Sequence, residues 1–431
     1  MSALLLLIGV GILLMLSRNN RLLFRLSWVG LVAALGLTVF EWRAMLELPM
    51  LRFDHPALGF GSLALFLTLL IFLLLRKSEH RNEYAALMAF SVVGGLLMVS
   101  YDHLVILFLG IEILSLPLYV LAGSARHNAS SNESALKYFV MGSFASGILL
   151  LGMALLYAGS GQLYLSGMTH PTLPALFYGG FLLVTVGFLF KIGAVPFHFW
   201  VPDVYEGAPT IFTSYMATVV KVFAVGSFAR FFVSGIALPH GPLMWGMVVL
   251  TMTLGNLMAL RQTAVKRMLA YSSIAHAGFL LMVLMVSAKS VWPLLLFYSA
   301  AYSLASLAAF AVVKLSERVE GLFQANRLLG VVFVISLMSL AGIPPLAGFF
   351  AKYFVLFGAL RQGYFALTAI ALINTLLAVY YYFKWIQASF AKTNVKHLEL
   401  SKPARAVLLL LTGLTVLVGF SSFWLVPVLS N

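Results

Sequence analysis

Glu112 stands inside an apolar run, Asp102 to Ala122, where helical rise sets it near the middle of a bilayer. The remaining Asp and Glu residues fall at or near the ends of such runs. A carboxylate at mid-depth costs about 2.5–3.5 kcal/mol on insertion scales, so it must be paired, hydrated or protonated. Lys191, Lys221 and His276 share that depth, and Lys352 follows further along the chain. These residue types suit proton transfer. Removal from water favours the neutral form of an amine, and an approaching carboxylate favours the charged form. A change in the Glu112–Lys191 distance would therefore switch the lysine between holding and releasing a proton. Histidine titrates near neutral pH and relays protons through either ring nitrogen. Blander readings compete: a fixed ion pair within a bundle, and a packing histidine hydrogen-bonded near Tyr271, Ser272 and Ser273. The convergence of acid, lysines and histidine favours the relay.

The elements that must position these groups are membrane helices. The 431 residues are 62% hydrophobic and 9% charged, with a mean hydropathy of +1.02. Soluble domains carry about 25% charged residues, so the chain reads as an all-α integral membrane protein. Apolar runs of membrane-spanning length number about 14. They form a single polytopic domain: N-terminal helices over 1–80, a five-helix repeat over 84–235, a second, inverted repeat over 241–388, and a C-terminal helix over 404–427. Met1 to Ser17 reads as the first span rather than a cleaved leader, having no basic segment before it. Two runs, 175–201 and 327–359, are too long for one span and contain Pro196 and the pair Pro344–Pro345. Proline removes a backbone donor and blocks the preceding turn, so helices 7 and 12 are expected to break. Lys191 lies just before the first break and Lys352 just after the second. The breaks are five spans apart, and an odd number of spans per unit inverts the second copy relative to the first.

Charge sets orientation and excludes other functions. The net charge of +14 is scattered over short loops, which argues against nucleic acid. Arg18, Arg21, Arg25, Arg76, Lys77, Arg81, Arg126, Arg261, Lys266, Arg267, Lys314, Arg318, Arg327, Lys392, Lys396, Lys402 and Arg405 gather on one side, whereas the other holds only Arg43, Arg52, Lys289 and Arg361. By the positive-inside rule both termini lie outside the cytoplasm. Arg230 and Lys384, near run ends, are expected to snorkel to the interface, and position alone suggests the same for Lys137. With no cysteine, cysteine-ligated iron–sulfur and zinc sites are excluded. No nucleotide-binding glycine motif appears, and no metal site is expected. Redox chemistry, if coupled to this chain, belongs to other subunits.

Several segments resemble the antiporter-like membrane subunits of respiratory complex I. They are Ile111 to Gly123 (IEILSLPLYVLAG), Ser134 to Phe144, and Lys191 to Pro209 (KIGAVPFHFWVPDVYEGAP), the last being the most specific. Lys266 to Gly278 and Leu340 to Lys352 (LAGIPPLAGFFAK) add to them. Within that family the match is to the N-type subunits of NADH-quinone oxidoreductase, over about residues 84 to 388. The resemblance implies a proton-pumping subunit of the bacterial inner membrane with no cofactor of its own. It implies that NAD, FMN, iron–sulfur clusters and quinone belong to partner subunits, and that antiporter-like neighbours and lipid surround the chain. Glu112 and Lys191 match the family's paired glutamate and lysine, Lys221 and His276 its connecting residues, and Lys352 its terminal lysine. Lys137 matches a buried lysine, which overrides the snorkelling reading. A cation/proton antiporter subunit, or the membrane subunit of a related hydrogenase complex, would use the same parts.

Overall fold

The computed structural model describes residues 1–16, 21–43, 45–75, 81–168, 171–233, 241–286, 288–316, 318–393 and 397–422. Arg18, Arg76, Lys77 and Lys396, and the end of the expected last helix beyond residue 422, lie outside the described residues. The chain divides into two compact units. The first takes Met1–Ile192, Gly207–Phe212 and Val219–Pro239; the second takes Gly193–Glu206, Thr213–Thr218 and His240–Asn431.

The first unit begins with α1 (Ser2–Leu16) and α2 (Arg21–Phe40), then a small antiparallel hairpin of β1 (Leu46–Leu48) and β2 (Leu51–Phe53). It continues with α3 (His55–Leu75), α4 (Arg81–Ser100), α5 (Leu104–Ala122), α6 (Ala129–Ser160) and α7 (Pro174–Ile192). α6 starts where the Asn128 side chain accepts the amides of Ser130 and Ser131, and it stops at Gly161 in the left-handed conformation. α4 and α5 pack closely at Gly94 and Gly110. A Cβ on Gly94 would meet the Leu114 amide nitrogen at 2.3 Å, and one on Gly110 the Gly94 carbonyl oxygen at 2.9 Å. Small residues let membrane helices approach backbone to backbone, and here they fix the helix that carries Glu112.

α8 (Trp200–Gly207) falls in the second unit up to Glu206, and α9 (Thr210–Tyr215) is divided between the units after Phe212. A π-helical turn, Met216–Val220, follows and leads into α10 (Lys221–Val233), which belongs to the first unit. The second unit holds α11 (Gly241–Leu260), α12 (Val265–Val283), α13 (Ala288–Ser316), the short α14 (Leu322–Ala325), α15 (Arg327–Ala341), α16 (Ala347–Arg361), α17 (Phe365–Ser389) and α18 (Lys402–Phe420).

Among the described residues, ten helices are long and apolar enough to cross a membrane. Ser2–Leu16, Phe24–Phe40 and Arg327–Ala341 are apolar but shorter. α12 falls in neither group because it carries Lys266, Arg267, Tyr271, Ser272, Ser273 and His276 in one helix. The helices are absent over 193–199 and 342–346, the segments that hold Pro196 and the pair Pro344–Pro345. Gly193 (φ 78°) and Gly342 (φ 87°) adopt the left-handed conformation at the start of these segments, which side-chain-bearing residues avoid. The freed backbone finds partners: the Val195 amide donates to Thr251 Oγ1 at 3.1 Å, and the Ala341 carbonyl accepts from Lys352 Nζ at 3.0 Å.

Candidate proton-handling sites

The first site grows from one face of α5. Glu112 and Ser115 are three residues apart, so they lie side by side on the helix. The Ser115 hydroxyl donates back to the Ile111 carbonyl and accepts from the ammonium of Lys191, which sits in the last turn of α7 and is buried. The Lys191 Nζ also lies 5.8 Å from the Tyr138 ring centroid on α6, within cation–π range. A small cleft beside the lysine is lined by Gly142, Ala145, Ser146 and Gly187 together with Ile111, Leu149 and Phe190. Glu112 is half-buried, and its Oε1 is enclosed without a hydrogen-bond partner. Glu112 acts electrostatically on Lys191, but the two form no direct ion pair. Ser115 occupies the contact position that a carboxylate would otherwise take.

The same unit places three more cations. Lys221 opens α10 immediately after the π-helical turn and is 4% exposed. Lys137 is 36% exposed and pairs with Glu133, one turn earlier on α6, at 2.8 Å. The burial implied by the resemblance is therefore not achieved by this chain alone. Arg230 corrects the snorkelling expectation. It is buried, its guanidinium pairs with Asp54, and its Nε donates to the Val99 carbonyl at 2.8 Å. A carboxylate distant in sequence neutralises the charge, so the side chain has no need to reach water. Lys384, in the second unit, is exposed.

In the second unit His276 is buried in α12. Its Nδ1 lies 2.9 Å from the Tyr298 hydroxyl on α13, and its Nε2 lies 3.5 Å from the Tyr382 hydroxyl on α17. The Tyr302 ring centroid is 5.0 Å from the imidazole. Tyr382 also bonds Ser272, and Tyr302 donates to Ser273 at 2.8 Å. Lys352, in the second turn of α16, is buried and caps the carbonyl end of α15 through Ala341. Its Nζ is 5.3 Å from the Phe279 ring centroid. At the other end of α12, Arg267 bridges Asp203 (2.9 Å) and Glu206 (2.8 Å) of α8, and Lys266 donates to the Glu206 carbonyl at 2.7 Å.

Sequence reasoning placed Glu112, Lys191, Lys221, His276 and Lys352 in the interior and missed the neutral groups around them. Ser115, Tyr138, Tyr298 and Tyr382 read as ordinary packing residues in apolar runs. Their spacing along the chain carried no signal. Among the described residues, no cluster of His, Asp and Glu could hold a metal ion.

A family model described as "NADH:quinone oxidoreductase/Mrp antiporter, TM" matches residues 101–378. The chain is similar to NADH-quinone oxidoreductase subunit N of Cytophaga hutchinsonii, at 40% identity over 97% of each chain. It is similar to the protein of the same name from Flavobacterium johnsoniae, at 41% identity over 91% of each. Among solved structures it resembles a chain of respiratory complex I from Thermus thermophilus with bound aureothin. That match has a TM-score of 0.89 at 33% identity, covering 99% of this chain and 98% of that one. A chain of the Mrp complex from Dietzia has the same fold, with a TM-score of 0.87 at 20% identity, covering 99% of this chain and 94% of that one. The chain therefore belongs to the NADH:quinone oxidoreductase/Mrp antiporter transmembrane family, among the N subunits of NADH-quinone oxidoreductase.

Proposed function

We propose that this chain translocates protons in the membrane arm of a respiratory NADH-quinone oxidoreductase, driven by quinone reduction in other subunits. The observation that carries the reading is a lysine, Lys191, buried on a neutral hydroxyl with a carboxylate acting on it from the same face of α5. A lysine locked in a direct ion pair would keep its proton. One held by serine, with the acid free to approach or withdraw, can load and release it.

In this reading Glu112 tunes Lys191, Lys137 helps supply the proton, and Lys221 and His276 carry it onward. Lys352 releases it to the outer side. The capped α15 terminus supports that last role, since the negative end of a helix favours the loaded ammonium. NAD, FMN, iron–sulfur clusters and quinone belong to partner subunits, and the antiporter-like neighbours flank this chain in the bacterial inner membrane. Both termini lie on the outer side. The interruptions after Ile192 and Ala341, each begun by a left-handed glycine, are the broken helices 7 and 12 of an inverted pair of five-helix repeats within about 14 spans. The test is Glu112→Gln in the assembled complex in proteoliposomes, following proton uptake and quinone reduction together. The reading expects coupled turnover to fall with assembly intact. Unchanged uptake would remove Glu112 from the path.

A further inference from the structure

His276 presents each of its ring nitrogens to a tyrosine hydroxyl from a different helix: Nδ1 to Tyr298 of α13 and Nε2 to Tyr382 of α17. Tyr382 has a second partner, Ser272, one turn before His276 on α12. Four groups thus form a chain, Ser272–Tyr382–His276–Tyr298, with the residues involved all buried. Each hydroxyl owns one proton, and a neutral imidazole owns one for its two nitrogens. The direction of donation along such a chain is therefore linked from end to end. If Tyr298 donates to Nδ1, the ring carries its proton on Nε2 and donates to Tyr382, which donates to Ser272. The opposite tautomer reverses every bond. The two contacts are unequal: the Nδ1 contact is an ordinary hydrogen bond, whereas the Nε2 contact is at the outer limit of one.

We infer that Tyr298 and Tyr382 are the positioning residues that give His276 its two-sided relay, with Tyr382 as the contact that opens and closes it. The inference deepens the proposed role of His276 and rests on that role. A proton accepted at Nδ1 from the Tyr298 side leaves from Nε2 to Tyr382 when that contact shortens. One proton enters the ring and one departs, no electrons move, and the ring changes tautomer. The starting direction returns only when the ring regains its first tautomer and the hydroxyls reorient with it. With Tyr382 held by Ser272 and withdrawn from Nε2, no proton passes along this chain.

Neighbouring polar groups have a different task. Tyr381 donates to Asn256 Oδ1 at 3.1 Å, and Asn256 donates to Asn374 Oδ1 at 3.0 Å, tying α11 to α17 without touching the imidazole. Tyr381 also packs against Tyr382, with ring centroids 4.4 Å apart, so the control is taken from the first unit: Tyr101, fully buried, whose hydroxyl donates to the Ser227 carbonyl at 3.2 Å.

The experiment compares Tyr298→Phe, Tyr382→Phe, the double variant, Tyr101→Phe and His276→Phe in the assembled complex in proteoliposomes. It records protons taken up and quinone reduced. Tyr298→Phe and Tyr382→Phe should each lower coupled uptake at least about tenfold, the scale of a lost proton-transfer partner. The double variant should be no worse than either, because the two act in series, and Tyr101→Phe should be unchanged. Where a phenylalanine variant does not assemble, 2,3,5-trifluorotyrosine at the same position keeps the shape and makes the phenol more acidic. The relay then expects a changed solvent deuterium isotope effect on uptake, which packing alone would not produce. Unchanged uptake in both tyrosine variants with uptake lost in His276→Phe overturns the inference and leaves the histidine's role intact. Unchanged uptake in His276→Phe overturns both. An unchanged isotope effect with the fluorinated residue also overturns the inference.

Discussion

Lys191 and Lys352 are both buried lysines beside a helix interruption, yet their surroundings differ in kind. Lys191 rests on the Ser115 hydroxyl with the Glu112 carboxylate acting on it. Lys352 rests on the Ala341 carbonyl at the end of α15, and among the described residues no carboxylate contacts it. A carboxylate on a side chain can move or take up a proton, so the first lysine has an adjustable neighbour. A helix terminus cannot change its charge, so the second has a fixed one. The difference suggests a division of labour: the first site decides when a proton is held, and the second sets a constant level to which it passes.

Apart from loss of the Lys191 amine itself, removing the amine at the fixed site should have the largest effect. Lys352→Ala is expected to reduce coupled proton uptake about a hundredfold in proteoliposomes, within the range for losing a proton-transfer group. Lys352→Arg, which keeps charge but does not release a proton, should fail equally. At the adjustable site, Glu112→Gln should lower uptake about tenfold, and Glu112→Asp should recover part of it. Equal activity of the Gln and Asp variants would erase the distinction between the two sites. Ser115→Ala leaves the Lys191 ammonium without its acceptor, at a cost of about 1 kcal/mol, so uptake should fall about fivefold. Ser115→Thr, which retains the hydroxyl, should restore it.

The smallest effect on pumping is expected away from both lysines. Asp54→Asn removes the charge that neutralises buried Arg230 and should destabilise the chain by about 1–3 kcal/mol, discounted because Asp54 reaches solvent. A lower thermal midpoint for the assembled complex, with protons per quinone unchanged, is the expected pattern. A change in that ratio would make Arg230 part of the proton path.

Much of this was legible in the sequence because charge inside an apolar run is expensive and so conspicuous. Glu112, Lys191, Lys221, His276 and Lys352 were recognisable on that ground, as were the proline segments where the helices stop. The neutral partners were not. Serine and tyrosine occur throughout packed membrane helices, and nothing in their spacing marks Ser115 as the seat of Lys191 or Tyr382 as a neighbour of His276, 106 residues away. Arg230 misled for the same reason: its partner Asp54 is 176 residues distant and sits in a loop, so only the folded chain brings them together. Lys137 shows the converse, since a family likeness implied burial and the isolated chain leaves it half exposed beside Glu133. The π-helical turn before Lys221 carries no proline to announce it.

The most direct test is Lys191→Ala in the assembled complex in proteoliposomes, with proton uptake and quinone reduction measured on the same vesicles. The account predicts that pumping is lost and coupled quinone turnover impaired while assembly is normal. Unchanged pumping and turnover in a normally assembled complex would contradict it, leaving a bundle whose buried charges serve only its structure.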